Sequence, residues 1–249
     1  MNAFLKKEWD QWFLTNKWLI FFVVFVALGI MNPFTAKITP TLIENLVGDE
    51  MASFMGDPTA IDSWLQFFKN VPQIGLIAFI LMMANTMSKE LQEGTLPIFL
   101  AKGLRRRDVI MAKWLFHTFM WTIGYIVAIG VTFGYTIYYW DQSIVQQLPL
   151  ALLGIYVFGL MFISTTLFGN TVTNSTMGGL AVSGILLAII VFVHTFFDWK
   201  WNPLQLFSML EERLTENASF SYIEPLLFMG IMIIIAIIGS TLHFNRRTL

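Results

Sequence analysis

The chain has 249 residues, of which 56% are hydrophobic and only 12% charged, with a formal net charge of -1 and a mean hydropathy of +0.67. Soluble domains carry roughly a quarter charged residues, so composition excludes a water-soluble fold and leaves an integral membrane protein. The absence of cysteine removes disulfides, thiolate metal sites and cysteine nucleophiles.

Residues 1–17 read as an interfacial connecting helix, because Leu5, Trp9, Trp12 and Phe13 share a stripe at helical spacing while Lys7, Asp10 and Gln11 lie on the other side. Residues 18–249 then read as a single transmembrane domain. About twenty apolar residues cross a hydrocarbon core, and runs at about 18–36, 70–88, 110–140, 148–169, 177–197 and 225–245 meet that length, the polar run Asn170 to Thr176 dividing the longest apolar stretch. The fold class expected is all-α: a polytopic membrane protein of six transmembrane helices with an N-terminal interfacial helix. Loop charges agree with this count. Residues 37–69 hold Glu44, Asp49, Glu50, Asp57 and Asp62 against Lys37 and Lys69, and residues 198–224 are likewise acidic, so both are outer loops. Lys6, Lys7, Lys17, Arg246 and Arg247 place both termini on the cytoplasmic side.

The coupling loop, residues 89–113, is the most basic connection, with Lys89, Lys102, Arg105, Arg106, Arg107 and Lys113. Thr95 can cap a short helix that tolerates Pro97 in its first turn, and Leu96, Phe99 and Leu100 then share one face. Gly103 supplies a left-handed stop. Glu90, Glu93-Gly94-Thr95-Leu96, Leu100, Arg105 and Lys113 resemble the pattern that follows the second span in type-2 ATP-binding-cassette (ABC) transporter permeases. Gly103 stands where that family often has proline.

The resemblance implies a membrane-spanning exporter subunit whose short cytoplasmic helix docks in an ATPase groove. Glu90 and Glu93 with Arg105 are expected to hold that helix against spans two and three, with Gly94, Thr95, Leu96, Phe99, Leu100, Gly103, Arg106 and Lys113 completing the coupling region. It further implies two copies of a cytoplasmic ABC ATPase, a second permease chain as homodimer or related heterodimer, a multi-pass location in a bacterial plasma membrane, and no nucleic-acid partner. The chain has no P-loop of its own, so the expected assignment is not an enzyme: no cofactor is bound here, and ATP and Mg belong to the partner ATPase.

Before the last span, Asn202-Pro203 starts a predicted amphipathic helix running to Leu214, with Leu204, Phe207 and Leu210 on its apolar face. The family resemblance makes this the outer gate. Polar and small residues within spans, namely Asn85, Thr86, Gly178, Gly179 and Ser183, are candidates for the pathway, which the resemblance places along spans two and five. Between the span ends, the third counted from Trp114, there is no Asp, Glu, Lys or Arg, and His117, His194 and His243 fall at span ends. A proton-driven carrier therefore lacks a relay, and neither a catalytic nor a metal-binding set is apparent. With 24 Phe, 9 Trp and 14 Met, the walls suit hydrophobic or amphipathic cargo such as membrane-active peptides or antibiotics. The alternative is an ATP-independent channel or a non-transporting membrane scaffold, in which the basic loop only sets topology.

Overall fold

The computed structural model describes residues 2–48, 56–92, 94–101, 103–208, 210–215 and 222–246; Glu93 lies outside them. Every regular element among the described residues is helical. Six helices are long and apolar enough to cross a membrane, Lys17–Leu46, Ala60–Glu90, Arg106–Tyr139, Leu148–Thr173, Thr176–Phe196 and Ile223–Arg246. The protein is an all-α polytopic membrane protein.

Helix α1 (Asn2–Leu14) turns into α2 (Lys17–Val47) through Asn16 at φ 53°, a left-handed conformation that asparagine tolerates. The first two spans extend further than their hydropathy suggests. Helix α2 continues through Pro33 and Pro40, and the second span begins at Ala60 rather than near residue 70. Much of the expected 37–69 loop is therefore helix. The charges that seemed to break the apolar run are helix-end residues of α3 (Ala60–Asn70), with Asp62 in its first turn and Lys69 in its last. The Thr59 amide and hydroxyl donate to Asp62 Oδ2 at 2.7 and 2.9 Å, the carboxylate side of a capping box.

The second span continues as a π turn (Val71–Gly75), α4 (Leu76–Met83) and α5 (Thr86–Gln92). Pro72 lacks an N–H and its ring crowds the preceding turn, which accounts for the widened coil. Then come α6 (Thr95–Ala101), α7 (Arg106–Tyr139), α8 (Leu148–Thr173), α9 (Thr176–Phe196), a 3₁₀ turn (Pro203–Leu206), α10 (Leu210–Thr215) and α11 (Ile223–Arg246). The single helix expected from Asn202 to Leu214 is thus two pieces. The Ser208 hydroxyl donates to the Gln205 carbonyl at 2.9 Å where the first piece ends.

Helix α8 is the most buried span and packs on α7, α9 and α11, while α2 packs on α3 and α7. Between them lies an aromatic core in which Trp121 meets Phe25, Phe79 and Tyr125 at ring separations of 5.9, 5.8 and 5.7 Å. Apolar contact alone does not drive helices together in lipid, so buried polar pairs specify their register. Asn32 Nδ2 donates to Thr132 Oγ1 at 3.2 Å, Asn70 Nδ2 donates to Asn32 Oδ1 at 2.9 Å, and the Ser63 and Thr136 hydroxyls are 2.7 Å apart.

Close helix approach depends on glycine at Gly159, where a methyl group would press into the Trp121 indole. Trp121 is fully buried and has nowhere to retreat. Gly159→Ala is expected to cost on the order of 1–3 kcal/mol, seen as a lower thermal midpoint of the purified protein; an unchanged midpoint contradicts this packing.

Candidate functional site

At the end of the bundle that carries α6, four charged side chains from three elements meet, three of them buried and the fourth, Lys7, partly exposed. Lys113 of α7 is 0% exposed, and Glu8 of α1 and Glu90 of α5 are 2% exposed. The Lys113 ammonium donates to Glu8 Oε1 at 2.7 Å and to the Thr86 carbonyl at 3.2 Å, and lies 3.0 Å from Glu90 Oε2. Lys7 pairs with the other oxygen of Glu90. A buried ammonium is tolerable only when paired and hydrogen-bonded, and here both carboxylates come from other helices. Burial opposes ionisation of Glu8, but Lys113, with His117 and Lys7 nearby, outweighs it and holds the carboxyl below its usual value.

This arrangement refines the sequence expectation for α1 and departs from those for Glu90 and His117. The inward face of α1 is Phe4, Glu8 and Trp12, each about 2% exposed, whereas Trp9 and Phe13 are exposed. Glu90 pairs with Lys113 and Lys7, while Arg105 is exposed at the start of α7. His117, expected at the interface, is fully buried one turn beyond Lys113, with Nδ1 2.7 Å from the Lys113 carbonyl.

Helix α6 hangs from this cluster. Gly94 at φ 67° and Gly103 at φ 90° make the turns at its two ends, conformations costly for other residues. Thr95 occupies the first helical position, and its hydroxyl donates to the Glu90 carbonyl at 3.3 Å. Leu96 is fully buried with Met87, Val109, Ile110 and Phe244, against which Phe99 and Leu100 pack. Phe99 also meets the Phe4 ring of α1 edge-on at 5.8 Å. The apolar face of α6 therefore belongs to the chain's own core, and the exposed residues at its C-terminal side are Ala101, then Gly103 and Arg105 of the connection and Arg107 of α7. Arg106 turns inward and donates to the Phe244 carbonyl at 2.7 Å, closing the last turn of α11.

At the opposite end, Asn202 is fully buried and ties two elements together. Its Nδ2 donates to the Ile190 carbonyl near the end of α9, and its Oδ1 accepts from the Leu204 amide, both at 2.8 Å. Pro203 is buried beside it. Leu204, Phe207 and Leu210 form one wall of a cavity of about 950 Å³ that runs between the second span, α8 and α9. Phe207 packs edge-on against Phe158 at 5.3 Å.

The other candidates divide. Ser183 lines the large cavity and shares a 2.6 Å hydrogen bond with Thr166. Gly178 and Gly179 face α8, against Thr173 and Asn170. Asn85 and Thr86 border a small pocket of about 80 Å³ beside Glu8, where Asn85 accepts from Lys17 at 3.0 Å. Sequence reading missed Glu8, whose i±4 neighbours Phe4 and Trp12 place a carboxylate inside an apolar stripe. It also missed Lys69, now within the second span. Among the described residues no group of three or more His, Asp or Glu is placed to hold a metal ion.

Six apolar spans thus carry a short helix anchored at one end and an apolar cavity beneath a cap at the other. The family model "ABC-2 family transporter protein" matches residues 3–249, and the chain belongs to that family. It is a multi-pass membrane component of ABC transport, a family that associates with an ABC ATPase and is not itself the ATPase. The chain is similar to the uncharacterized transmembrane protein YxlG of Bacillus subtilis (strain 168), 23% identical over 254 residues that cover 99% of this chain and 97% of that protein. No solved structure matches it.

Lys113→Met leaves Glu8 and Glu90 facing each other without their shared cation and is expected to cost about 3–5 kcal/mol. The check is thermal unfolding of the purified variant; a loss within a few tenths of wild type contradicts the pairing. Because the Glu8 carboxyl is depressed in the fold, its contribution is complete above the ordinary value of 4.5 and is lost as pH falls through the lower folded value. Hydrogen exchange of the α1 amides, corrected for intrinsic rate, should accelerate in that acidic window and stay flat above it.

Proposed function

We propose that the chain is the membrane half of an ATP-driven exporter that moves hydrophobic or amphipathic cargo, such as membrane-active peptides or antibiotics, by alternating access. The observation that carries this reading is the cavity of about 950 Å³ walled by Phe68, Phe158, Phe162 and Phe207. Its volume is that of a pocket for a drug-sized ligand, and its walls favour apolar over hydrated cargo. Two chains, identical or related, face each other across the spans that line this cavity. Each engages one cytoplasmic ATPase subunit, which holds ATP and Mg. Both termini are cytoplasmic, in a bacterial plasma membrane.

The coupling step follows from the anchoring of α6. An ATPase groove closing on the outward surface of α6, with Arg105 and Arg107, moves a helix whose apolar face is already packed into the bundle. Displacement passes through Phe99 to Phe4 and through Glu90 to Lys113, so α1, the second span and α7 shift together. The opposite end responds where Asn202 fixes the 3₁₀ turn to α9, the element that closes the cavity outward.

The test is purification of the tagged chain from its native membranes in mild detergent. A Walker-motif ATPase is expected at one copy per permease chain; a chain that emerges without one moves the channel or scaffold reading forward. Arg105→Glu, an exposed site, should leave insertion intact and abolish cargo-stimulated ATP turnover. Wild-type stimulation in that variant removes α6 from the coupling role.

A further inference from the structure

We infer that the large cavity takes an amphiphile with a zwitterionic head, its anionic group beside Lys69 and its cationic group beside Glu211, and its apolar body directed along the second span towards Leu81. This deepens the exporter reading and rests on it.

Lys69 and Glu211 are the charged residues among those lining the cavity. Neither makes a hydrogen bond or ion pair through its side chain among the described residues, and they are not bridged to each other. Both side chains are exposed rather than packed by other parts of the chain. Lys69 belongs to the second span, and a lysine in a span normally pairs or faces an aqueous or ligand-filled space. Here it lines the cavity together with Glu211, whose short helix α10 packs against α3.

The cavity is graded along its length. Lys69, Gln73 and Glu211 lie towards its α10 end, and Ile77, Ile80 and Leu81 continue the lining towards the α6 end. A purely anionic head would leave Glu211 facing like charge, and a purely cationic head would do the same to Lys69. A head carrying both charges satisfies both groups. The same chemistry is offered by a bilayer phospholipid and by an exported zwitterionic amphiphile, and the experiment separates them.

The full chain in maltoside micelles is titrated with fluorescent single-chain amphiphiles of one tail length: a lysophosphatidylcholine, a lysophosphatidylglycerol and an alkyl trimethylammonium. The zwitterion should bind about ten-fold more tightly than the other two. Lys69→Met and Glu211→Gln should each remove about that factor, equivalent to about 1.4 kcal/mol. The exchanged pair Lys69→Glu with Glu211→Lys should recover most of the zwitterion affinity, which a folding defect would not do. Equal binding of the three heads, or single variants that bind like wild type, overturns the inference. A phospholipid retained from native membranes by wild type and lost in Lys69→Met identifies a bilayer lipid as occupant; head selectivity with no retained lipid identifies cargo. ATPase co-purification is scored on the same preparations. An ATPase with no head selectivity overturns this inference alone, and selectivity without an ATPase overturns the exporter reading alone.

Discussion

An ammonium group with no path to water stays charged only where carboxylates and carbonyls replace its hydration shell, and Lys113 is such a group. Its shell is drawn from separate pieces of chain: Glu8 on α1, Glu90 on α5, and the Thr86 carbonyl where the second span reopens into α5. None of these pieces can drift without exposing uncompensated charge. This constraint converts an N-terminal helix into a structural part of the α6 end. It also explains why α6 is held firmly although it has only seven residues, far fewer than an isolated helix needs in water.

The rest of the bundle is arranged around the same division between fixed and open contacts. Gly169 and Gly179 bring α8 and α9 together, since a Cβ on Gly169 would lie 2.9 Å from the Gly179 Cα. The next face of α9 carries Gly184, which has open space over it and lines the cavity. Ser183 belongs to both faces, bonded to Thr166 and bordering the cavity. The small residues of span five thus do two jobs: one set lets α8 approach, and the other leaves room. At the far end Asn202 caps the arrangement with bonds to both α9 and the 3₁₀ turn.

Hydropathy and loop charge made the six spans and the basic loop legible, because the cost of charge in hydrocarbon is written directly into sequence. The face of α1 was not legible for a reason specific to membranes. Lipid is as apolar as a protein interior, so the stripe of Leu5, Trp9, Trp12 and Phe13 does not say which members meet the bundle: Trp12 is buried beside Glu8, and Trp9 and Phe13 are exposed. The start of the second span was hidden by Asp62 and Lys69, which mark helix ends and a cavity wall rather than a loop. Glu90, Lys113 and the small residues of span five were visible as residue types. Their partners depend on tertiary contacts at separations of 83 and 105 residues, which local patterning does not encode.

Comparison of the two ends gives the fold its direction. At the α6 end, Glu8 and Glu90 are buried and both pair with Lys113, with Lys7 on the other oxygen of Glu90, so the helices that carry them cannot separate without uncovering charge. At the opposite end, Lys69 and Glu211 line one cavity with no side-chain pair among the described residues, between walls that are mostly aromatic and aliphatic. The two ends are therefore held by different means: charge pairs fix α1, the second span and α7 to one another at the α6 end, and Asn202 ties the 3₁₀ turn to α9 at the other.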